Sequence, residues 1–157
     1  MTINIGITNS NLKQSVSVLE TLLANEMTLY VKTRKAHWNI SGESFMELHK
    51  LFQNQYEEIE ESIDQIAERI GKLGHKAIGT MEEFSKLSKI KEFPGKNDSS
   101  KETLLEILND HESIIIELRK NILLCSEKYN DLGTADYLTG LMEQHETISW
   151  ILRRYTN

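Results

Sequence analysis

With 157 residues, 39% of them hydrophobic and 27% charged, the chain can bury one sizeable core but is short for two domains. Its 24 acidic against 18 basic residues leave a formal charge of −6, which weighs against non-specific nucleic-acid binding and suits the attraction of cations. One proline (Pro94) and eight glycines exclude a turn-rich all-β sandwich. No apolar run approaches the ~18 residues of a membrane span, so no membrane association is expected. The opening residues MTINIGITNSNL have neither a basic nor an apolar leader region, and the single Cys125 suits a reducing compartment. The expectation is a cytoplasmic, all-α chain forming one domain over 1–157, with 1–10 as a flexible N-terminal tail.

In chain order, Leu12, Val16, Leu19, Leu23, Met27 and Tyr30 recur at steps of three and four and predict a first helix ending near Trp38. Asn39, Ser41 and Gly42 supply a turn. Phe45, Leu48, Phe52, Tyr56, Ile59, Ile63, Ile66 and Ile70 then mark a second helix that stops at Gly71 and Gly74. So short a turn makes these two an antiparallel hairpin. From Gly71 to Asn97 the pattern weakens, except that Thr80 with Glu83 reads as a capping box opening a short helix over Met81–Leu87. Ser99 with Glu102 is a second capping box, followed by a third stripe of Leu104, Leu108, His111, Ile115, Leu118 and Ile122. After a break at Asp131, Gly133 and Thr134 comes a fourth stripe: Leu138, Leu141, Met142, His145, Ile148 and Leu152. Four helices joined short, long, short describe a ferritin-like four-helix bundle, with a short extra helix in the crossover between helices two and three.

Bundles of this kind commonly house metals between their helices through Glu-x-x-His pairs. None of the five histidines has a Glu three residues before it; Arg34, Met46, Lys72, Leu108 and Met142 stand there instead. A di-iron site inside one bundle is therefore disfavoured. His111 and His145 lie on apolar stripes and read as core histidines bonded to neighbours, while His75 has no ligand partner at suitable spacing.

His37 and His49 flank the first turn, so the hairpin can bring both imidazoles onto adjoining surfaces. Asp64 and Glu68 share a face of the second helix at a spacing of four. Two imidazoles and two carboxylates suit iron. His49 and Asp64 are nevertheless about 22 Å apart along one helix axis, so all four residues can meet only if a two-fold partner contributes one pair. The same residues also read as a solvated carboxylate pair and a histidine at a helix C-terminus. Spacing leaves both readings open.

These residues carry a family resemblance. Lys35-Ala36-His37-Trp38-Asn39-Ile40-Ser41-Gly42, then Phe45, Leu48-His49, Phe52, Tyr56, Asp64, Ala67-Glu68-Arg69-Ile70 and Leu73-Gly74 resemble the Dps family of miniferritins in identity and spacing. The resemblance implies a hollow homo-dodecamer with ferroxidase centres at two-fold interfaces. His37 and His49 would come from one subunit, Asp64 and Glu68 from the other. It implies that Fe2+ is oxidised there, preferentially by hydrogen peroxide, and stored as ferric mineral, limiting oxidative stress. Trp38 matches a tryptophan able to supply or quench a stray electron. Asp136, with Asp131 and Glu127 nearby, matches an acidic stretch lining three-fold entry pores.

The chain departs from the family pattern at Gln53, where many members have an aspartate. An amide is the poorer iron ligand, so a di-iron centre with a weak second position is expected. Tight DNA binding is not expected either. Residues 1–15 hold one basic residue, Lys13, Arg153 and Arg154 make too short a basic arm, and twelve copies at −6 would carry about −72. The alternative is a nucleoid-associated DNA-binding protein with weak or vestigial ferroxidase activity.

Overall fold

The computed structural model describes residues 3–95 and 99–156. Among them there are five α-helices and no strand: α1 (Asn9–Asn39), α2 (Phe45–Lys72), α3 (Met81–Leu87), α4 (Ser100–Leu123) and α5 (Leu132–Thr156). The two hairpins α1/α2 and α4/α5 pack against each other, and α3 lies against α1. The all-α bundle with a helix in its crossover is thus the observed architecture. Asn97, the expected end of the weakly patterned stretch, lies outside the described residues.

All the helices but α2 start where a side chain caps the first turn. The Thr8 hydroxyl accepts from Asn11 N–H at 3.2 Å to open α1. Thr80/Glu83 and Ser99/Glu102 both form complete capping boxes, opening α3 and α4 as the sequence predicts. The stop after α2 uses Gly74 at φ +81°, a left-handed position that favours glycine. Ile3 packs directly over it, 3.0 Å from where a Cβ would project. Ile3 and Ile7 thereby join the core margin, so of the expected tail, residues 3–8 fold back onto the bundle. Met1 and Thr2 lie outside the described residues.

The core runs the length of the bundle. Leu19, Leu29, Phe52, Ile66, Ile70, Leu118, Leu138 and Leu152 are all completely enclosed, each contributing roughly 1.5–3 kcal/mol of burial. In α4 the buried face is rotated slightly from the predicted stripe, with Ile107 and Ile114 inside and Ile115 and Ile122 only half-buried. Buried polar side chains tie the crossover to α1. The Asn25 amide oxygen accepts from Lys89 N–H at 2.7 Å, and its nitrogen donates to Glu117 at 3.1 Å. Lys32 Nζ donates to Lys91 O at 2.7 Å while pairing with Glu106 at 2.9 Å and Asp110 at 2.5 Å. A buried ammonium is tolerated because three acceptors surround it. The long connection is therefore held along the bundle.

Between α4 and α5 the chain makes a π-helical turn over Leu124–Lys128, then passes through Asn130 at φ +52°.

Candidate metal centre

The turn 40–44 places the end of α1 against the start of α2. Gly42 at φ +103° and the Phe45 N–H to Gly42 O bond of 3.1 Å close it. His37, in the last turn of α1, then meets His49, one turn into α2. The rings stack with centroids 3.7 Å apart and planes inclined by 22°.

Each imidazole is fixed by the other's backbone. His37 Nδ1 lies 2.7 Å from His49 O, and His49 Nδ1 lies 2.9 Å from His37 O. A carbonyl oxygen only accepts, so both Nδ1 atoms carry the proton and donate. With Nδ1 donating, a neutral ring carries its lone pair on Nε2, the form a metal ligand requires. Phe45 packs beside His49 at 5.1 Å, and Tyr56 sets its ring edge-on to His37 at 5.3 Å. The hairpin thus supplies two oriented nitrogen donors.

The carboxylates lie elsewhere on α2. Asp64 and Glu68 are both exposed, and Glu68 pairs loosely with Lys72 at 3.4 Å. Asp64 borders an acidic hollow shared with Glu57, Glu60, Glu61, Tyr30 and Met27. Among the described residues, no three His, Cys, Asp or Glu side chains within one chain come close enough to hold a metal ion. The structure therefore unites His37 with His49 and leaves Asp64 and Glu68 on a separate outward surface. Gln53, one turn beyond His49, donates its amide to Glu57 at 2.8 Å along its own helix.

The entry-route candidates divide. Asp136 and Glu127 are exposed. Asp131 is instead buried, with 1% of its surface exposed. It caps α5, accepting from Thr134 N–H at 2.9 Å and Thr134 Oγ1 at 2.6 Å, and it pairs with Arg69 at 3.1 Å. Burial alone would raise its pKa, but the Thr134 bonds and Arg69 outweigh burial and hold the carboxyl below its usual range. Asp131 is a structural anchor in the subunit, with its oxygens already engaged.

The core histidines are bonded as expected, through a partner that the sequence reading did not identify. His111 Nδ1 and His145 Nδ1 are 2.8 Å apart, and His145 Nε2 lies 2.8 Å from Glu26 Oε1, all within the core. Glu26 sits midway between Leu23 and Leu29 on the buried face of α1; a carboxylate at that phase was the available signal. Around Tyr56 a second group was also missed. Arg34 stacks over Tyr56 at 4.4 Å and Tyr30 at 5.2 Å, and donates to the Tyr30 hydroxyl. Trp38 is 65% exposed, with Arg34 5.8 Å from its ring.

A four-helix bundle with a helix in its long crossover and a histidine hairpin at one end defines a ferritin-like chain. Residues 16–157 match the ferritin-like domain model. More narrowly, the chain belongs to the Dps family. It is 32% identical to the DNA protection during starvation protein 2 of Bacillus anthracis, over 92% of this chain and 98% of that protein. A low temperature-induced protein of Nostoc sp., itself uncharacterized, is 42% identical over 98% of this chain and 86% of its own length. A Dps crystal structure from Vibrio cholerae O1, described as a member of a broad superfamily of ferritin-like diiron-carboxylate proteins, superposes with a TM-score of 0.92. It is 26% identical and covers 100% of this chain and 98% of that one. Membership places the chain among proteins of iron storage or DNA protection.

Proposed function

We propose that this protein is a ferroxidase and iron store whose reaction sites are completed between subunits. The observation that carries this reading is the reciprocal Nδ1 bonding of His37 and His49, which in the neutral rings leaves both Nε2 lone pairs available, with Asp64 15 positions beyond His49 on α2. That separation, about 22 Å along α2, is far beyond any coordination sphere. A two-fold related copy of α2 would bring its own Asp64 and Glu68 to this hairpin, giving two equivalent sites per pair. The full assembly in this reading is a homo-dodecamer enclosing ferric mineral. Among the described residues no helix is long and apolar enough to cross a membrane, and we place the cage in the cytoplasm.

Fe2+ is the substrate, with hydrogen peroxide the preferred oxidant. Two Fe2+ give one electron each to one peroxide, whose O–O bond breaks, and two protons complete two waters. Taking both electrons together avoids hydroxyl radical and so relieves oxidative stress. Neutral imidazoles and carboxylates suit Fe2+ and leave positions open for the oxidant. Gln53, an amide already donating to Glu57, makes the second iron position of the centre weak. Exposed Asp136 is retained as an entry-route residue that concentrates cations, and Trp38, beside His37 and open to solvent, as an outer quencher of stray electrons.

The test is anaerobic Fe2+ with added peroxide. Ferric formation should exceed the rate in buffer and fall toward it in His37→Ala, His49→Ala, Asp64→Ala and Glu68→Ala. A wild-type rate equal to buffer would overturn the assignment.

A second reading, DNA binding with weak ferroxidase activity, has support in the name of the Bacillus anthracis relative. Against it, α1 begins at Asn9, so Lys13 sits on a helix and not in a mobile arm. The charge of −6 per chain also repels phosphate. No DNA retardation in a gel is expected at about 150 mM salt, where phosphate contacts weaken steeply; clear retardation would favour this second reading.

A further inference from the structure

Resting on the ferroxidase reading, the geometry around His37 points to the source of an electron that a half-loaded site would lack. With Gln53 engaged by Glu57 at 2.8 Å, a site holding one Fe2+ offers one electron, and peroxide needs two to reach water. We infer that Tyr30, reached by way of Tyr56, supplies the second.

The rings form a continuous path. Tyr56 stands edge-on to the ligand His37, with centroids 5.3 Å apart and planes at 78°, and edge-on to Tyr30 at 6.2 Å and 89°. Trp38 follows His37 in sequence, but successive helical residues diverge by about 100°, and its indole is turned outward at 65% exposure.

Tyr30 is where the oxidation can come to rest. A phenol that loses an electron becomes strongly acidic and must release its proton. Tyr30 OH donates to Glu60 Oε1 at 3.4 Å while accepting from Arg34. The carboxylate can take the proton, and the guanidinium keeps its hydrogen bond to the oxygen throughout. Arg34 also stacks over both phenol rings, at 4.4 Å and 5.2 Å. A cation there disfavours a positively charged ring, so the oxidised state settles as a neutral radical on the tyrosine whose proton has an acceptor.

The step balances. One Fe2+ becomes Fe3+ and gives one electron. Tyr30 gives the other and becomes a neutral phenoxyl radical, its proton passing to Glu60. Peroxide takes both electrons and two protons from solvent, its O–O bond breaks, and two waters form. A second Fe2+ then reduces the radical, a proton returns to the phenol oxygen, and the overall stoichiometry is again two iron per peroxide.

The experiment loads the assembled protein anaerobically with one Fe2+ per subunit, adds one equivalent of peroxide, and freezes samples for electron paramagnetic resonance. A spin trap for hydroxyl radical is used in parallel. Wild type should show a phenoxyl radical and little trapped hydroxyl radical, and Trp38→Phe should keep the phenoxyl signal. Tyr30→Phe and Tyr56→Phe should lose that radical and release hydroxyl radical while iron is still oxidised. Glu60→Gln should delay the radical's appearance. The relay is overturned if the phenoxyl signal persists in both tyrosine variants, or if Trp38→Phe alone abolishes it. Rapid iron oxidation with no protein radical in wild type also overturns the relay but leaves the ferroxidase reading intact. Wild-type oxidation no faster than in buffer overturns both.

Discussion

The separation of the two halves of the proposed centre makes a quantitative complementation test possible. Consider a histidine-deficient variant, His37→Ala with His49→Ala, and a carboxylate-deficient variant, Asp64→Ala with Glu68→Ala. If each site takes its imidazoles from one subunit and its carboxylates from the partner, either variant alone lacks every site. In a mixed two-fold pair, one site combines both defects. The other joins the intact histidines of one subunit to the intact carboxylates of the other. Random assembly at equal amounts makes about half of all pairs mixed, so about a quarter of all sites are restored. Co-expressed or jointly reassembled variants should therefore recover about a quarter of the wild-type initial rate of peroxide-dependent iron oxidation, and mixing the assembled variants without exchange should recover none. The proposal leads to this outcome because His37 and His49 share one hairpin while Asp64 lies about 22 Å further along α2. The substitutions lie on partly or fully exposed surface, so folding should survive them, which circular dichroism will check. Failure to recover any activity in verified mixed assemblies would refute the shared site. High activity in either variant alone would refute the ligand assignment itself.

Asp131→Ala removes the α5 cap and strands Arg69, and should cost about 2.5–4 kcal/mol in urea unfolding, from a cap of ~1 kcal/mol and charge-assisted bonds of ~1.5–3 kcal/mol. Its carboxyl is held below the usual range in the folded state, so this stabilisation is present above the unfolded value of about 3.9 and is lost as pH falls through the folded pKa. His111 behaves in the same direction for another reason: burial, then the neighbouring His145, lowers its pKa well below the usual value. Its unfolded form takes up a proton near pH 6.5 while the folded form resists. Stability should therefore decline below that pH by up to about 1.4 kcal/mol per unit, a slope that His111→Gln flattens in denaturation series between pH 5 and 7. Gly74→Ala should lower stability by about 1–2 kcal/mol, because φ is +81° and the new methyl would meet Ile3 at 3.0 Å; thermal unfolding at fixed protein concentration checks it.

What the sequence made legible was mostly what depends on near neighbours along the chain. Capping boxes need three residues and a helix, and both appear where they were read. The paired histidines are 12 positions apart across a single turn, so a helical period and a short connection were enough to join them. Register in α4 was harder. Ile114 and Ile115 are equally apolar, and only tertiary packing decides that Ile114 turns inward. Glu26 was missed because its partner, His145, lies on a helix far along the chain, and no local spacing announces that pairing. Asp131 was misplaced for the converse reason. An acidic residue before a helix can face solvent or cap its own helix, and Arg69, 62 positions away, decides for the cap. The same principle separates the two halves of the proposed centre. The donors joined by a turn are already oriented in one subunit, whereas the carboxylates lie on a surface that the subunit's own fold leaves outward. If the proposed centre is shared in this way, its ligands stay apart until subunits associate, and metal affinity is coupled to assembly: iron bound between subunits would also stabilise the interface that forms its site.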